Sequence, residues 1–197
     1  PAYASIVASG ANACVLHYVA NDALLKDGDL LLIDAGCELD GYASDITRTF
    51  PVNGKFSGPQ KAVYELVLAA QAAAIREVKP GNTWNQPHDA AVKVLAQGML
   101  DLKLLSGSLD EVLEKETYRQ FYMHRTGHWL GMDVHDCGSY VEPTEVGQVS
   151  ERRDPLSGEA ITNRPSRILR PGMVLTIEPG LYVRPAEGVP VAFHNIG

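Results

Sequence analysis

Two stretches far apart in the chain share one pattern. Lys26–Gly36 reads KDGDLLLIDAG and Arg170–Gly180 reads RPGMVLTIEPG; Gly28/Gly172, Leu31/Leu175, Ile33/Ile177 and Gly36/Gly180 are identical, and Lys26/Arg170, Leu30/Val174 and Asp34/Glu178 are conservative. Each copy is a short apolar run of strand length, opened by a glycine and closed by a carboxylate ahead of a second glycine. A buried strand that ends in a carboxylate is costly unless the charge is paired or held by a cation. Helical periodicity lies between the copies, so the repeat predicts an α/β (α+β) fold of two similar halves facing each other.

The local signals fill in that outline. The first strand is expected over Asp29–Asp34 after the Lys26-Asp27-Gly28 turn, with Asp40-Gly41 as a hairpin signal and Tyr42–Phe50 returning beside it. A two-residue turn there sets Asp34 opposite Thr47 and makes Asp45 its diagonal neighbour on the same face, within reach of a shared ligand. Two carboxylates that close repel each other unless a proton or a cation lies between them. The plainer alternative is that Arg48 pairs with Asp45 while Asp34 only caps a turn. Residues 51–58 carry turn chemistry, and Pro59 suits the first turn of a helix. From Gln60 to Val78 the residues Val63, Leu66, Val67, Ala70 and Ala74 mark one helical face, which Lys79-Pro80-Gly81 ends. A second helix is expected over Pro87–Leu100, and Ser108-x-x-Glu111 is a capping box that opens a third. Glu142–Arg170 is polar and turn-rich, which predicts a long surface insertion covering a rim or a subunit contact. Arg170–Val183 is expected to be a strand again.

Chemistry concentrates in a second feature. Half of the six histidines, His124, His128 and His135, fall within twelve residues, interleaved with Gly127 and Gly131, which allow close backbone approach. Any one of them alone reads as a satisfied core histidine. Together with Asp34, Asp45 and Glu178 they form an oxygen-rich donor set that suits Mn²⁺, Co²⁺, Fe²⁺ or a dinuclear Zn²⁺ site better than a thiolate-loving metal. Two metals can activate water and clamp the oxyanion of a hydrolysis.

The block His124-Arg-Thr-Gly-His128-Trp-Leu-Gly-Met-Asp-Val-His135-Asp136 resembles the proline-peptidase signature of the pita-bread metallopeptidases. Asp34-Ala-Gly, Asp45-Ile-Thr-Arg and Thr176-Ile-Glu178-Pro-Gly match that family's other blocks in order. The resemblance covers nearly the whole chain and is strongest to bacterial Xaa-Pro aminopeptidases, around GCELDGYASDITRTFPVNGKF. It implies a pita-bread fold, two pseudo-symmetric halves of helices and antiparallel strands. It implies that Asp34 holds one metal, Asp45 bridges both, and His128 and Glu178 hold the other. Glu178 would also take the proton of the attacking water, while His124 and His135 would contact the substrate around the scissile carbonyl and the proline. His17 matches a further histidine lining the pocket; by itself it reads as core. The implied reaction is metal-dependent hydrolysis between an N-terminal residue and proline, with two divalent ions, Mn²⁺ foremost and Co²⁺ or Zn²⁺ as alternatives. The implied substrates are peptides with proline second, and the implied assembly is a homo-oligomer. The near alternative is an Xaa-Pro dipeptidase, with Arg152, Arg153 and Arg164 as candidates to grip a free carboxylate. The alternative of another class is a non-catalytic pita-bread module that binds peptides or partners.

Composition bounds these readings. With 197 residues and 45% hydrophobic content, one domain is the default. Seventeen basic against twenty-four acidic residues give a net charge of −7, which argues against nucleic acid bound through its phosphates. No apolar run approaches the roughly 18 residues that cross a bilayer, so no membrane span is expected. Three cysteines without framework spacing suit a reducing cytoplasm, and the lack of a Cys-x-x-Cys pair argues against a zinc finger. Pro1 opens the sequence with no charged, apolar leader behind it, and His194–Gly197 ends it without a helix or charged tail, the expectation being a catalytic-domain fragment. In the resembled family a bridging Glu follows on the next strand, and an amino-terminal domain precedes. On that reading residues 1–197 are a single, incomplete catalytic domain, metal-free or partly loaded and impaired in activity. Glu187, between Pro185 and Pro190, is the one carboxylate left in the second hairpin.

Overall fold

A computed structural model describes residues 1–143, 150–184, 186 and 188–194. Pro185, Glu187 and residues 195–197, which the sequence reading singled out, lie outside the described residues, as do residues 144–149 of the expected insertion.

The first half forms as its turn chemistry dictates. Strand β1 (Ile6–Ser9) pairs antiparallel with β2 (Leu30–Ala35), which pairs antiparallel with β5 (Ile46–Pro51). Between β2 and β5 the hairpin tip carries two-residue strands β3 (Glu38–Leu39) and β4 (Tyr42–Ala43). Asp40 and Gly41 both have positive φ, 52° and 82°, the combination that lets a two-residue turn follow the twist of its strands. The resulting register places Asp34 opposite Thr47. The single strand expected over Tyr42–Phe50 is therefore divided, with a break at Ser44–Asp45. β1 carries no strong signal in the sequence.

Helix α1 (Gly58–Glu77) begins with the Ser57–Gln60 capping box and Pro59 in its first turn; Gln60 then spends its amide on the Gly28 carbonyl, 2.8 Å away, tying the helix to the start of β2. Helix α2 (Asn85–Asp101) packs its Ala91, Leu95 and Met99 side against Val63, Ala70 and Ala74 of α1. Leu95 and Met99 are fully buried, each contributing about 2 kcal/mol of transfer free energy. Helix α3 (Leu109–Glu114) starts at the predicted Ser108–Glu111 box and adds Val112 to the same core, which Val183 and Phe193 close from the chain's far end.

A further expectation is corrected. The segment 170–183 is extended but is not a regular strand. It makes one isolated antiparallel bridge, Trp129 to Leu175, and alternate hydrogen bonds to the histidine segment. Its partner is interrupted by glycines and its own ends are broken by Pro171-Gly172 and Pro179-Gly180, so no uniform ladder can propagate. The 142–170 stretch, expected to be a long surface insertion, carries among its described residues an exposed hairpin of β6 (Ser150–Arg153) and β7 (Ala160–Asn163). Arg119 clamps it by bonding Asp154 at 3.1 Å and Glu116 at 3.0 Å.

Candidate metal centre

Three segments bring donor atoms together. The first is the hairpin. Its ladder lapses where Gly36 faces the Ser44–Asp45 step, because the two backbones approach too closely for a side chain: a Cβ on Gly36 would overlap the Ser44 carbonyl oxygen. Side-chain-assisted bonds replace the ladder there, with Ser44 N–H on the Cys37 carbonyl at 2.8 Å and Cys37 N–H on Ser44 Oγ at 2.9 Å. Asp45 leaves this step on the face of Thr47, and Arg48 on the other. Arg48 accordingly turns to its neighbour's carbonyl, Thr47 O at 2.8 Å, and the alternative in which it pairs with Asp45 is not what forms.

The second and third segments are locked to each other. Glu178 N–H donates to Thr126 O at 2.7 Å, Thr176 N–H to His128 O at 3.0 Å and Leu130 N–H to Val174 O at 3.3 Å. Gly127 permits this, since a Cβ there would overlap the Thr176 carbonyl. The Thr176 hydroxyl accepts from His128 N–H at 3.0 Å and donates to Glu178 Oε1 at 2.7 Å, so a single side chain orients both flanking residues.

The result is a compact cluster. His128 Nε2 lies 3.0 Å from Asp45 Oδ2 and 3.2 Å from Glu178 Oε1. One ligand atom from each of the three lies within 4.8 Å of the others, and this is the one such group among the described residues. His128 Nδ1 donates to Trp129 O at 2.8 Å, which fixes the ring and directs Nε2 at the carboxylates. Burial pulls the His128 pKa down, but the hydrogen bonds to Asp45 and Glu178 outweigh it and raise the pKa to about 10. The His128 bond holds Asp45 below the usual carboxylate range against its burial. Asp34 is pushed up by burial, with the Asp45 charge adding to the effect. A proton on His128 Nε2, shared by two carboxylates, stands where a divalent cation would be held, and the set of one imidazole and two carboxylates fits a borderline or hard cation.

The expected residues fall into three groups. Asp45, His128 and Glu178 converge. Asp34 adjoins them: the Tyr3 hydroxyl donates to Asp34 Oδ1 and sits 3.1 Å from Asp45 Oδ1, bridging the pair. His135 lies edge-on to His128 with ring centroids 4.2 Å apart, and His17, at a positive φ of 55°, is 6.2 Å from His135. His124 stands apart from the donors. Its Nδ1 donates to the Arg125 carbonyl at 2.7 Å, which leaves Nε2 to accept from the Tyr182 hydroxyl at 2.9 Å. Sequence reasoning missed Tyr3, Thr176 and Tyr182. Thr176 was discoverable, since positions 176 and 178 share a face of any extended segment. Tyr3 and Tyr182 carry no comparable signal.

Known proteins resemble this chain over its whole length. The family model for metallopeptidase family M24 matches residues 1–196. An Xaa-Pro aminopeptidase of Haemophilus influenzae is 52% identical over the whole of this chain and 41% of its own length. The Xaa-Pro aminopeptidase of Escherichia coli is 44% identical over the whole chain and 40% of its own length. The solved structure of Pseudomonas aeruginosa aminopeptidase PepP superposes with a TM-score of 0.86 at 53% identity, again over the whole chain and 40% of the other. This chain thus spans about two-fifths of the length of the relatives it matches. The mixed fold of helices and antiparallel strands is theirs over this span, and the family takes divalent metal ions in its peptidase centre. The chain belongs to metallopeptidase family M24.

Proposed function

We propose that this chain is the catalytic part of an Xaa-Pro aminopeptidase, hydrolysing the bond between an N-terminal residue and a following proline. The observation that carries the reading is the convergence of Asp45, His128 and Glu178 within 4.8 Å, from segments distant in sequence, in a chain of this family. Asp34, Asp45, His128 and Glu178 would hold two divalent ions, with Mn²⁺ the first candidate and Co²⁺ or Zn²⁺ the others. Bound ions there supply Lewis acidity, polarising the scissile carbonyl and lowering the pKa of water. Glu178 would accept the proton of the attacking water and pass it to the leaving proline nitrogen. Its support for that role is Thr176, which binds Oε1 and so sets the rotamer of the carboxylate. His135, beside His128, and His124, held by Tyr182, would contact the substrate around the scissile carbonyl and the proline, and His17, beside His135, would line the pocket. An imide nitrogen has no N–H to offer, so recognition falls to shape and to the carbonyl. The substrates are peptides with proline second, not nucleic acid or membrane, given the net charge of −7 and the lack of a helix long and apolar enough to span a bilayer among the described residues. A cytoplasmic setting accords with three free cysteines. Residues 1–197 form one catalytic domain in this reading, within a homo-oligomeric parent.

The test has two arms. Mn²⁺ titrated into a polypeptide carrying this chain at the length of its relatives should bind, and His128→Ala in it should weaken binding at least about tenfold. A polypeptide carrying this chain at the length of its relatives should release the N-terminal residue from a tripeptide with proline second and not from one with alanine second. Equal cleavage of both, or cleavage of Xaa-Pro dipeptides alone, refutes the aminopeptidase reading.

A further inference from the structure

Helix α2 carries a histidine that lies outside the donor cluster. His88 is 9% exposed, and its Nδ1 lies 2.8 Å from Thr126 Oγ1. Thr126 is 2% exposed, and its hydroxyl is also 2.5 Å from the Tyr122 hydroxyl, on a residue 1% exposed. Three buried polar side chains thus form a closed hydrogen-bonded chain between α2 and the segment that leads into His124 and His128. Its outer end meets the site, since the Tyr122 ring stands edge-on to that of His124 at 5.0 Å. The rest of that side of α2 is Ala91, Leu95 and Met99, and apolar packing would hold the helix without the cost of desolvating an imidazole. The network instead secures a residue that is bonded to one ligand and close in the chain to the other. Thr126 lies two positions before His128, and its carbonyl accepts the Glu178 N–H at 2.7 Å. A slip of Thr126 shifts both ligands at once.

We propose that His88 is a positioning residue for the metal centre: from helix α2 it locks the Thr126 hydroxyl, and through Thr126 it fixes the register of the histidine segment against 174–178, and with it the separation of His128 Nε2 from the Glu178 carboxylate. The consequence for metal rests on the reading above; the locking geometry does not. His88 touches neither donor atoms nor substrate and acts only through Thr126.

Three variants of this chain separate positioning from packing. His88→Phe fills the volume without the hydrogen bond, His88→Asn returns an amide group to the place of Nδ1, and Thr126→Val removes the hydroxyl while keeping its shape. The readouts are amide hydrogen exchange at Glu178, referred to Leu95 in the middle of α2, and a Co²⁺ titration followed by its visible absorption. His88→Phe and Thr126→Val should speed Glu178 exchange and weaken Co²⁺ binding, each by about tenfold, and His88→Asn should restore both to within about threefold of the original. Unchanged exchange and Co²⁺ affinity in a folded His88→Phe, or a His88→Asn as impaired as it, overturns the proposal. If His88→Phe does not fold, Thr126→Val against the original chain decides the same point. If the original chain takes up no Co²⁺, Glu178 exchange alone decides whether His88 positions the segment.

Discussion

Acid should destabilise this fold through His88 in a way that one substitution can isolate. Burial, with the nearby positive charges of Arg125 and Arg119, lowers the His88 pKa to about 3, against about 6.5 for a solvated imidazole. The other group facing the ring is Tyr122, which is neutral throughout this range. Between these two pKa values the unfolded chain binds a proton that the native chain refuses. The stabilisation is therefore complete above pH 6.5 and is lost as pH falls toward 3, at about 1.4 kcal/mol per pH unit. From pH 7 to pH 5 the loss assigned to His88 is about 2 kcal/mol, a sizeable share of the roughly 5–15 kcal/mol of a typical domain. His88→Asn keeps a hydrogen-bonding group toward Thr126 and cannot be charged. Urea unfolding of both proteins in chelator-treated buffer at pH 7, 6 and 5 should give a stability difference that shifts by about 2 kcal/mol in favour of the variant as pH falls. Groups common to both proteins, His128 among them, cancel in that difference. Parallel pH curves would show that His88 is protonated in the native state and would refute the reasoning.

Three further outcomes follow from contacts already described. Gly36→Ala must force the Ser44 carbonyl aside, and urea unfolding should show a loss of about 1–3 kcal/mol, together with weaker Mn²⁺ binding as Asp45 is displaced. Tyr3→Phe deletes the hydroxyl that bridges Asp34 and Asp45, and the metal-free protein should lose about 1.5–3 kcal/mol in the same assay. Arg119→Met frees the 150–163 hairpin from its clamp; trypsin should then nick at Arg152 or Arg153 a few-fold faster, with the core helices intact.

What the sequence disclosed and what it withheld divide along the range of the interactions. The α3 start was readable because a capping box is a contact between residues three apart, the α1 start because Pro59 follows a run of turn residues, and the hairpin register because Asp40-Gly41 admits one turn geometry. From that register the placement of Asp45 on the face of Asp34 followed by parity alone. The repeat and the histidine spacing nominated Glu178 and His128, but only the resemblance joined them at one metal: they meet because Thr176 and three backbone bonds align segments nearly fifty residues apart. The strand expected over Arg170–Val183 did not form as such, because apolar periodicity reports burial while a ladder also needs an uninterrupted partner, and the histidine segment is broken by Gly127 and Gly131. Tyr3 and His88 were invisible for the same reason. Each owes its role to a partner on another element, Asp34 for one and Thr126 for the other, and nothing within reach along the chain marks them.

The bond between Asp45 and His128 also has a meaning for the unfolded chain. These residues are 83 positions apart, so any cation that tied them together would close a loop of that length. By the chain-entropy rule for covalent cross-links, such a closure is equivalent to about 4.5 kcal/mol. Chelation would then loosen the native state by removing a removable staple as well as by taking away ligand bonds. An ion held there would also slow proteolysis, since cleavage follows the population of the opened chain that the staple suppresses.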